Sequence, residues 1–381
     1  MEFDLSGILL GLPLAFLLGW LASRLDLRQL RFENRRGPKA YFKGLNFLLN
    51  EQQDQAIDAF IEAVQSDPDT SELHFALGNL FRRRGEYDRA VRVHEHLLSR
   101  GDISQVDRER AQHALALDFL KAGLLDRAEE ALAKLEATPF EAQARLALLA
   151  IYERSRDWPN AAAITQKMHA AQQGDFSTRQ AHYLCEQALA LVAQGDLSAA
   201  QSRLTQAATV APEAARPRIE LAKLQQQQGD SAAAVATLLT MNAANPSALP
   251  LATALLVQAS QAAGQTAPVM QALQQHYRAA PSLDVLDGIV ALEAAGNAGR
   301  EWYVRHLETE PSLVAAAKWL ATEKLEHEQF HPQVQRALDR ASAPLTRYRC
   351  AACGFEARQH FWQCPGCQTW DSYPARRVEE L

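Results

Sequence analysis

Two patterns of apolar and polar positions divide this chain. Leu5 to Ala22, LSGILLGLPLAFLLGWLA, is an unbroken run of 18 uncharged and mainly apolar residues. At ~1.5 Å per residue a helix of that length covers about 27 Å, close to the ~30 Å hydrocarbon thickness of a bilayer. After it, apolar residues recur at helical spacing inside a longer period of about 34 residues. Gly44, Phe47, Ala56, Phe60, Ala63 and Pro68 make one unit; Leu77, Gly78, Phe81, Gly85, Tyr87 and Ala90 repeat it, with Ala90 one full period after Ala56. Leu115, Phe119, Gly123 and Ala128 follow after a four-residue insertion, and Tyr152, Trp158 and Ala161 form a degenerate unit. Gly195, Ala200, Leu204, Ala207 and Pro212 return one period later as Gly229, Ala234, Leu238, Met241 and Pro246, and Gly264, Leu273 and Pro281 close the series. The stretch from Leu283 to Glu328 reads as helical with only a faint repeat.

The spacing is that of the tetratricopeptide unit, a pair of antiparallel helices. Small residues mark where the two helices cross closely, a Gly ends the first helix in the left-handed conformation, and a Pro stops the second. Each pair buries one face only, so neighbours must stack. The expected fold is all-α, a tetratricopeptide superhelix of about seven recognisable repeats plus degenerate helices over residues 37–345.

The apolar run reads as a membrane anchor over residues 1–23. A cleaved signal peptide carries positive charge before its apolar stretch, and here only Glu2 and Asp4 precede it. Arg24, Arg28, Arg31, Arg35, Arg36, Lys39 and Lys43 come after it, against Asp26 and Glu33. Residues 24–36 thus form a basic juxtamembrane linker. The positive-inside rule puts the N-terminus outside and the rest in the cytoplasm, as a single-pass protein. Gly7, Gly11, Ala15 and Gly19 recur every four residues, a ridge of small side chains that suits close approach of a second transmembrane helix.

Composition narrows the remainder. The 18 Gly and 16 Pro among 381 residues are few for a soluble chain, which fits a folded helical protein. A net charge of −6 gives no sign of nucleic-acid binding. Four of the five cysteines cluster in the last segment, residues 346–381, as Cys350-Ala-Ala-Cys353, ten residues, then Cys364-Pro-Gly-Cys367. Two C-x2-C turns bring four thiolates around one tetrahedral ion and leave no position for water, so the site is structural. Zinc is the default metal and iron the alternative, since an all-thiolate site holds either. Phe355, Phe361, Trp362, Trp370 and Tyr373 crowd the knuckles, some to cover the metal and others to pack the module on its neighbour. Cys185 reads as a small core residue.

Counting positions within each unit places Phe75, Asn79, Arg82, Arg83, His113, Lys121, Arg154, Arg216 and Lys223 in the concave groove, a basic set for an acidic or extended protein segment. No phosphate loop, H-E-x-x-H or partnered nucleophile occurs, so no catalytic residue is assigned and the chain is not read as an enzyme.

The order of anchor, repeat array and a tail reading YRCAACGFEARQHFWQCPGCQTWDSYPAR resembles the lipopolysaccharide assembly protein B family of Gram-negative bacteria over essentially the full length. Its most specific part is C-x2-C-G-F, then W-x-C-P-x-C and Trp370. The family's tail is rubredoxin-like; here Gln368 stands where rubredoxins favour Gly, and the ten-residue gap is short. The resemblance implies an inner-membrane adaptor that regulates lipopolysaccharide synthesis by promoting degradation of the LpxC deacetylase by the membrane-anchored FtsH protease. A general co-chaperone scaffold for envelope proteins and an iron-containing redox protein are the competing readings.

Overall fold

The computed structural model of the chain describes residues 16–18, 20, 40–67, 69–293, 298–323 and 328–381. The Gly7–Gly11–Ala15–Gly19 ridge, the basic linker and Pro68 lie outside the described residues. Phe16, Leu17, Leu18 and Trp20 are helical and exposed. No helix among the described residues is long and apolar enough to cross a membrane.

The helices form two compact units, the first ending at Ser155 and the second beginning at Arg156. In the first, a helix over residues 40–49 (α1) precedes α2 (Gln53–Ser66), α3 (Ser71–Arg83), α4 (Tyr87–Ser99), α5 (Gln105–Ala122), α6 (Leu125–Ala133) and α7 (Glu141–Ser155). The second contains α8 (Trp158–Ala170), α9 (Ser177–Gln194), α10 (Leu197–Val210), α11 (Ala215–Gln227), α12 (Ser231–Ala244), α13 (Leu249–Ala263), α14 (Thr266–Ala279), α15 (Leu283–Leu292), α16 (Ala298–Thr309), α17 (Leu313–Thr322) and α18 (His331–Ser342). Among the described residues the faintly repetitive stretch is therefore three further helices, α15 to α17.

The repeat residues act as their spacing requires. Ala56, Ala90, Ala128, Ala161, Ala200 and Ala234 are all completely buried, where a methyl fills the space between paired helices. At Gly78 even that is too much, because an added Cβ would lie 2.5 Å from the His94 ring of α4. Gly195 and Gly229 end α9 and α11 at φ +86° and +83°, a conformation L side chains adopt at a cost. The next residues, Asp196 and Asp230, accept hydrogen bonds from the amides of Ala199 and Ala233, each at 3.0 Å, and so start α10 and α12. Gly-Asp is thus a stop and a start in two residues.

The core of the second unit runs through Leu238, Leu249, Leu256, Leu273 and Leu286, all fully buried, and Trp362 of the tail packs against it. Cys185 is fully buried in α9, and burial pushes its thiol up to about 12, which leaves it unreactive near neutrality. The tail itself is a two-stranded antiparallel ladder, β1 (Tyr348–Arg349) with β2 (Glu356–Ala357), pairing Tyr348 with Ala357 and Arg349 with Glu356.

Candidate functional site

Each cysteine pair sits on a tight knuckle, and the two knuckles are built alike. The Gly354 amide donates to Cys350 O at 2.9 Å, and the Gln368 amide donates to Cys364 O at 2.8 Å. Both residues are left-handed, at φ +77° and +60°. Gln368 therefore occupies a conformation that Gly would adopt without strain, the physical reason for a Gly preference there.

The knuckles bring the four Sγ atoms within 4.8 Å of one another. Cys350 to Cys367 measures 3.8 Å and Cys353 to Cys364 3.7 Å. A tetrahedron with metal–sulfur bonds of ~2.3 Å has edges of about 3.8 Å, so the donor set fits one metal ion. Thr369 Oγ1 lies 3.3 Å from Cys367 Sγ and Ser372 Oγ 3.3 Å from Cys350 Sγ. The Thr369 hydroxyl and amide hold the Cys367 thiol below its ordinary value. At Cys353 the Phe355 amide favours the thiolate, but partial loss of hydration within the cluster and hydrogen bonds with the other three sulfurs outweigh it and push the thiol up to about 12. Four sulfurs this close resist sharing four negative charges, and a divalent cation removes that conflict. Cys350 and Cys364 are buried, while Cys353 and Cys367 are exposed.

The module is seated on the helices of the second unit. Trp370, three residues past Cys367, stacks on His182 of α9 with ring centroids 4.7 Å apart. Its edges meet Tyr183 at 5.9 Å and Trp158 at 6.0 Å. Beside it the Asp371 carboxylate lies 2.8 Å from His182 Nε2, and Arg216 Nη1 lies 3.4 Å from His182 Nδ1. Arg216 in turn donates to Glu186 at 2.6 Å. Carboxylate, imidazole, guanidinium and carboxylate thus form one chain from the module into the array, and it orders His182 with its Nε2 proton toward Asp371.

The last residues extend the seat. Arg377 forms a bidentate pair with Asp284 of α15 at 2.7 and 2.9 Å, and its guanidinium covers the Tyr348 ring at 4.1 Å. Glu379 accepts from the Leu313 amide at 2.6 Å and the Ser312 hydroxyl at 2.7 Å, capping α17. Glu380 accepts from the Leu283 amide at 2.6 Å, capping α15. Negative charge at a helix N-terminus is favourable, and each cap satisfies an amide that would otherwise lack a partner.

The residues expected to line a groove divide into three groups. Arg83, Lys121 and Arg154 in the first unit and Lys223 in the second are exposed. Asn79, Arg82 and His113 are half-buried. Arg82 donates to Asp118 Oδ1 at 2.8 Å, to Ala114 O at 3.1 Å, and to Asn79 Oδ1. Asp118 also faces His94 Nδ1 at 2.5 Å, and both are fully buried. Asn79 and Arg82 therefore tie α3 to α5 and are not free for a partner, while His113 stacks on Phe140 at 4.8 Å. Phe75 and Arg216 require correction. Phe75 is only 2% exposed, packed with Leu97 and Ala111 beneath Arg110, because its α3 position faces the next helix pair. Arg216 is 4% exposed because the chain's own module covers it.

Sequence reasoning did not single out His182, Glu186, Asp284, Arg377, Glu379 or Glu380. The Trp-Asp pair directly after the second knuckle was the available signal; the array side carries none, since His182 lies among ordinary helix residues.

Residues 348–373 match the family described as rubredoxin metal binding domain, and residues 73–103 and 191–259 match tetratricopeptide repeat families. Lipopolysaccharide assembly protein B of Escherichia coli strain K12 is 30% identical over 381 residues, covering 97% of this chain and 98% of that protein. The protein of the same name from Haemophilus influenzae is 27% identical over 396 residues, covering 95% and 96%. Among solved structures, Naa15/Naa10 bound to HypK-THB aligns with a TM-score of 0.46 at 15% identity, over 82% of this chain and only 48% of that chain. With identity at this level along nearly its whole length, the chain belongs to the lipopolysaccharide assembly protein B family.

Proposed function

We propose that this chain is an adaptor in lipopolysaccharide assembly, tethered to the inner membrane, that promotes degradation of the LpxC deacetylase by the FtsH protease. The near full-length likeness to lipopolysaccharide assembly protein B carries the reading. The apolar run with its flanking charge supports a single-pass anchor with the N-terminus in the periplasm and the bulk of the chain in the cytoplasm. Phe16, Leu17, Leu18 and Trp20, each helical and exposed, fit that placement. The Gly7–Gly11–Ala15–Gly19 ridge offers a face for a partner's membrane helix. Cys350, Cys353, Cys364 and Cys367 hold one zinc ion with a structural task, to keep the module on its seat. The chain acts by binding other proteins.

Arg83, Lys121 and Arg154 form the accessible part of the first unit's basic set and contribute to partner capture. Changing Arg83 and Lys121 together to Glu should weaken capture of the partner on the order of tenfold while helix content stays unchanged, since exposed charges steer association more than they stabilise folds. Quantitative co-purification from detergent-solubilised membranes, with circular dichroism as control, measures this. Unchanged recovery would remove these cations from the interface. The function itself is tested by depleting the protein in cells. The deacetylase's half-life should lengthen, and an unaltered half-life would favour a general envelope scaffold.

A further inference from the structure

A stacked helix array has two ends, and an end helix with no neighbour normally turns a polar face outward. α1 does not. Its inner face holds Ala40 and Gly44, both buried, with Tyr41 edge-on to the Phe60 ring at 5.9 Å. Its outer face carries Phe42, 63% exposed, and Leu49, 80% exposed, with Asn46 between them and Leu45 at the margin. Leu49 is the most exposed large apolar side chain among the described residues. Phe42, Leu45 or Asn46, and Leu49 follow one another at three- to four-residue steps, so they share one stripe.

The chain's own charge indicates what covers this stripe. Lys43 flanks it, and Arg35, Arg36 and Lys39 come shortly before Phe42. Apolar side chains bordered by cations suit the headgroup boundary of an anionic bilayer, where rings and aliphatic groups enter and ammonium groups meet phosphate. Position agrees with this. The apolar run ends at Ala22 and α1 begins at Ala40, so the segment joining them is short. We propose that the Phe42–Leu49 face of α1 lies on the cytoplasmic surface of the bilayer as a second, peripheral membrane contact. It rests on the anchor reading above, since the anchor brings α1 to that surface. A docked α1 fixes how the first unit stands on the membrane, which an anchor alone would not do.

The test uses the full chain with Asn46, in the middle of the stripe, replaced by the photoreactive residue p-benzoylphenylalanine. A second version carries it at Val106, an exposed apolar position on α5. After illumination in native membranes, the Asn46 version should gain the mass of one phospholipid and the Val106 version should not. In reconstituted vesicles, adduct yield should be about fivefold higher with phosphatidylglycerol present than in phosphatidylcholine alone, the gain expected from one lysine near an anionic surface. Phe42→Ser with Leu49→Ser should abolish the Asn46 lipid adduct while helix content is retained. An adduct to a protein, including a second copy of this chain, or no adduct at Asn46, overturns the proposal. Carbonate extraction of the same membranes reports on the anchor separately. A chain that resists extraction yet gives no lipid adduct disproves the α1 contact alone; one that is extracted and gives none disproves both.

Discussion

Replacing Cys350 and Cys353 with Ser should strip the metal from the purified chain and release the tail from the second unit. The module's own buried cluster is Tyr348, Cys350, Cys364 and Tyr373, far too small to hold a fold. Structural zinc sites contribute about 10–16 kcal/mol to folding, and two thiolates cannot retain the ion. Without the knuckles, Trp370 and Asp371 are no longer presented to His182, and Glu379 and Glu380 no longer cap α17 and α15. Each lost cap costs about 0.5–2 kcal/mol, so the damage spreads from the tail into the array. Metal analysis should fall from one ion per chain to none. Thermal unfolding should gain an earlier transition, while most of the helical signal survives at low temperature. Retention of one ion per chain by the double variant would mean that the ligands are other residues.

Arg82→Glu should destabilise the first unit by roughly 3–5 kcal/mol, as expected when one partner of a buried ion pair is removed. The Asp118 side chain is fully buried and accepts from both Arg82 and His94, and a glutamate at position 82 would set a second carboxylate beside it. Neighbouring Arg83 is exposed, and Arg83→Glu should stay within about 0.5 kcal/mol of the parent. Urea unfolding of the two variants side by side makes the comparison. Equal midpoints would show that the Arg82–Asp118–His94 cluster contributes nothing to stability.

Adjacent Arg82 and Arg83 show what was legible in the sequence. The repeat places α3 and gives its faces, because helix period and the fully buried alanines are local properties that spacing records. It does not say which outward-looking side chain a neighbouring unit will reach. Arg82 finds Asp118 36 residues away, and nothing near Arg82 marks that. The four cysteines were readable because two short knuckles carry the whole donor set. Their seat was not, since the His182–Asp371 contact spans 189 residues and the Leu283–Glu380 cap spans 97. Arg216 was misplaced for the same cause: a groove residue by its position in the repeat, it lies under a tail encoded far downstream. Gln368 is a milder case, a left-handed position filled by a residue other than the Gly that rubredoxins favour.

An adaptor that works only at the membrane makes a prediction that a soluble scaffold does not. Cells carrying the chain from Lys39 onward are compared with cells carrying the full chain and cells lacking it, at matched protein abundance, and the deacetylase's half-life is followed. Tethering raises the effective concentration of a weak partner, by up to two to four orders of magnitude in overall avidity. The untethered chain should therefore fold yet leave the deacetylase nearly as long-lived as in cells lacking the protein, while the full chain shortens its half-life. A normal, short half-life with the untethered chain would contradict the membrane-adaptor function.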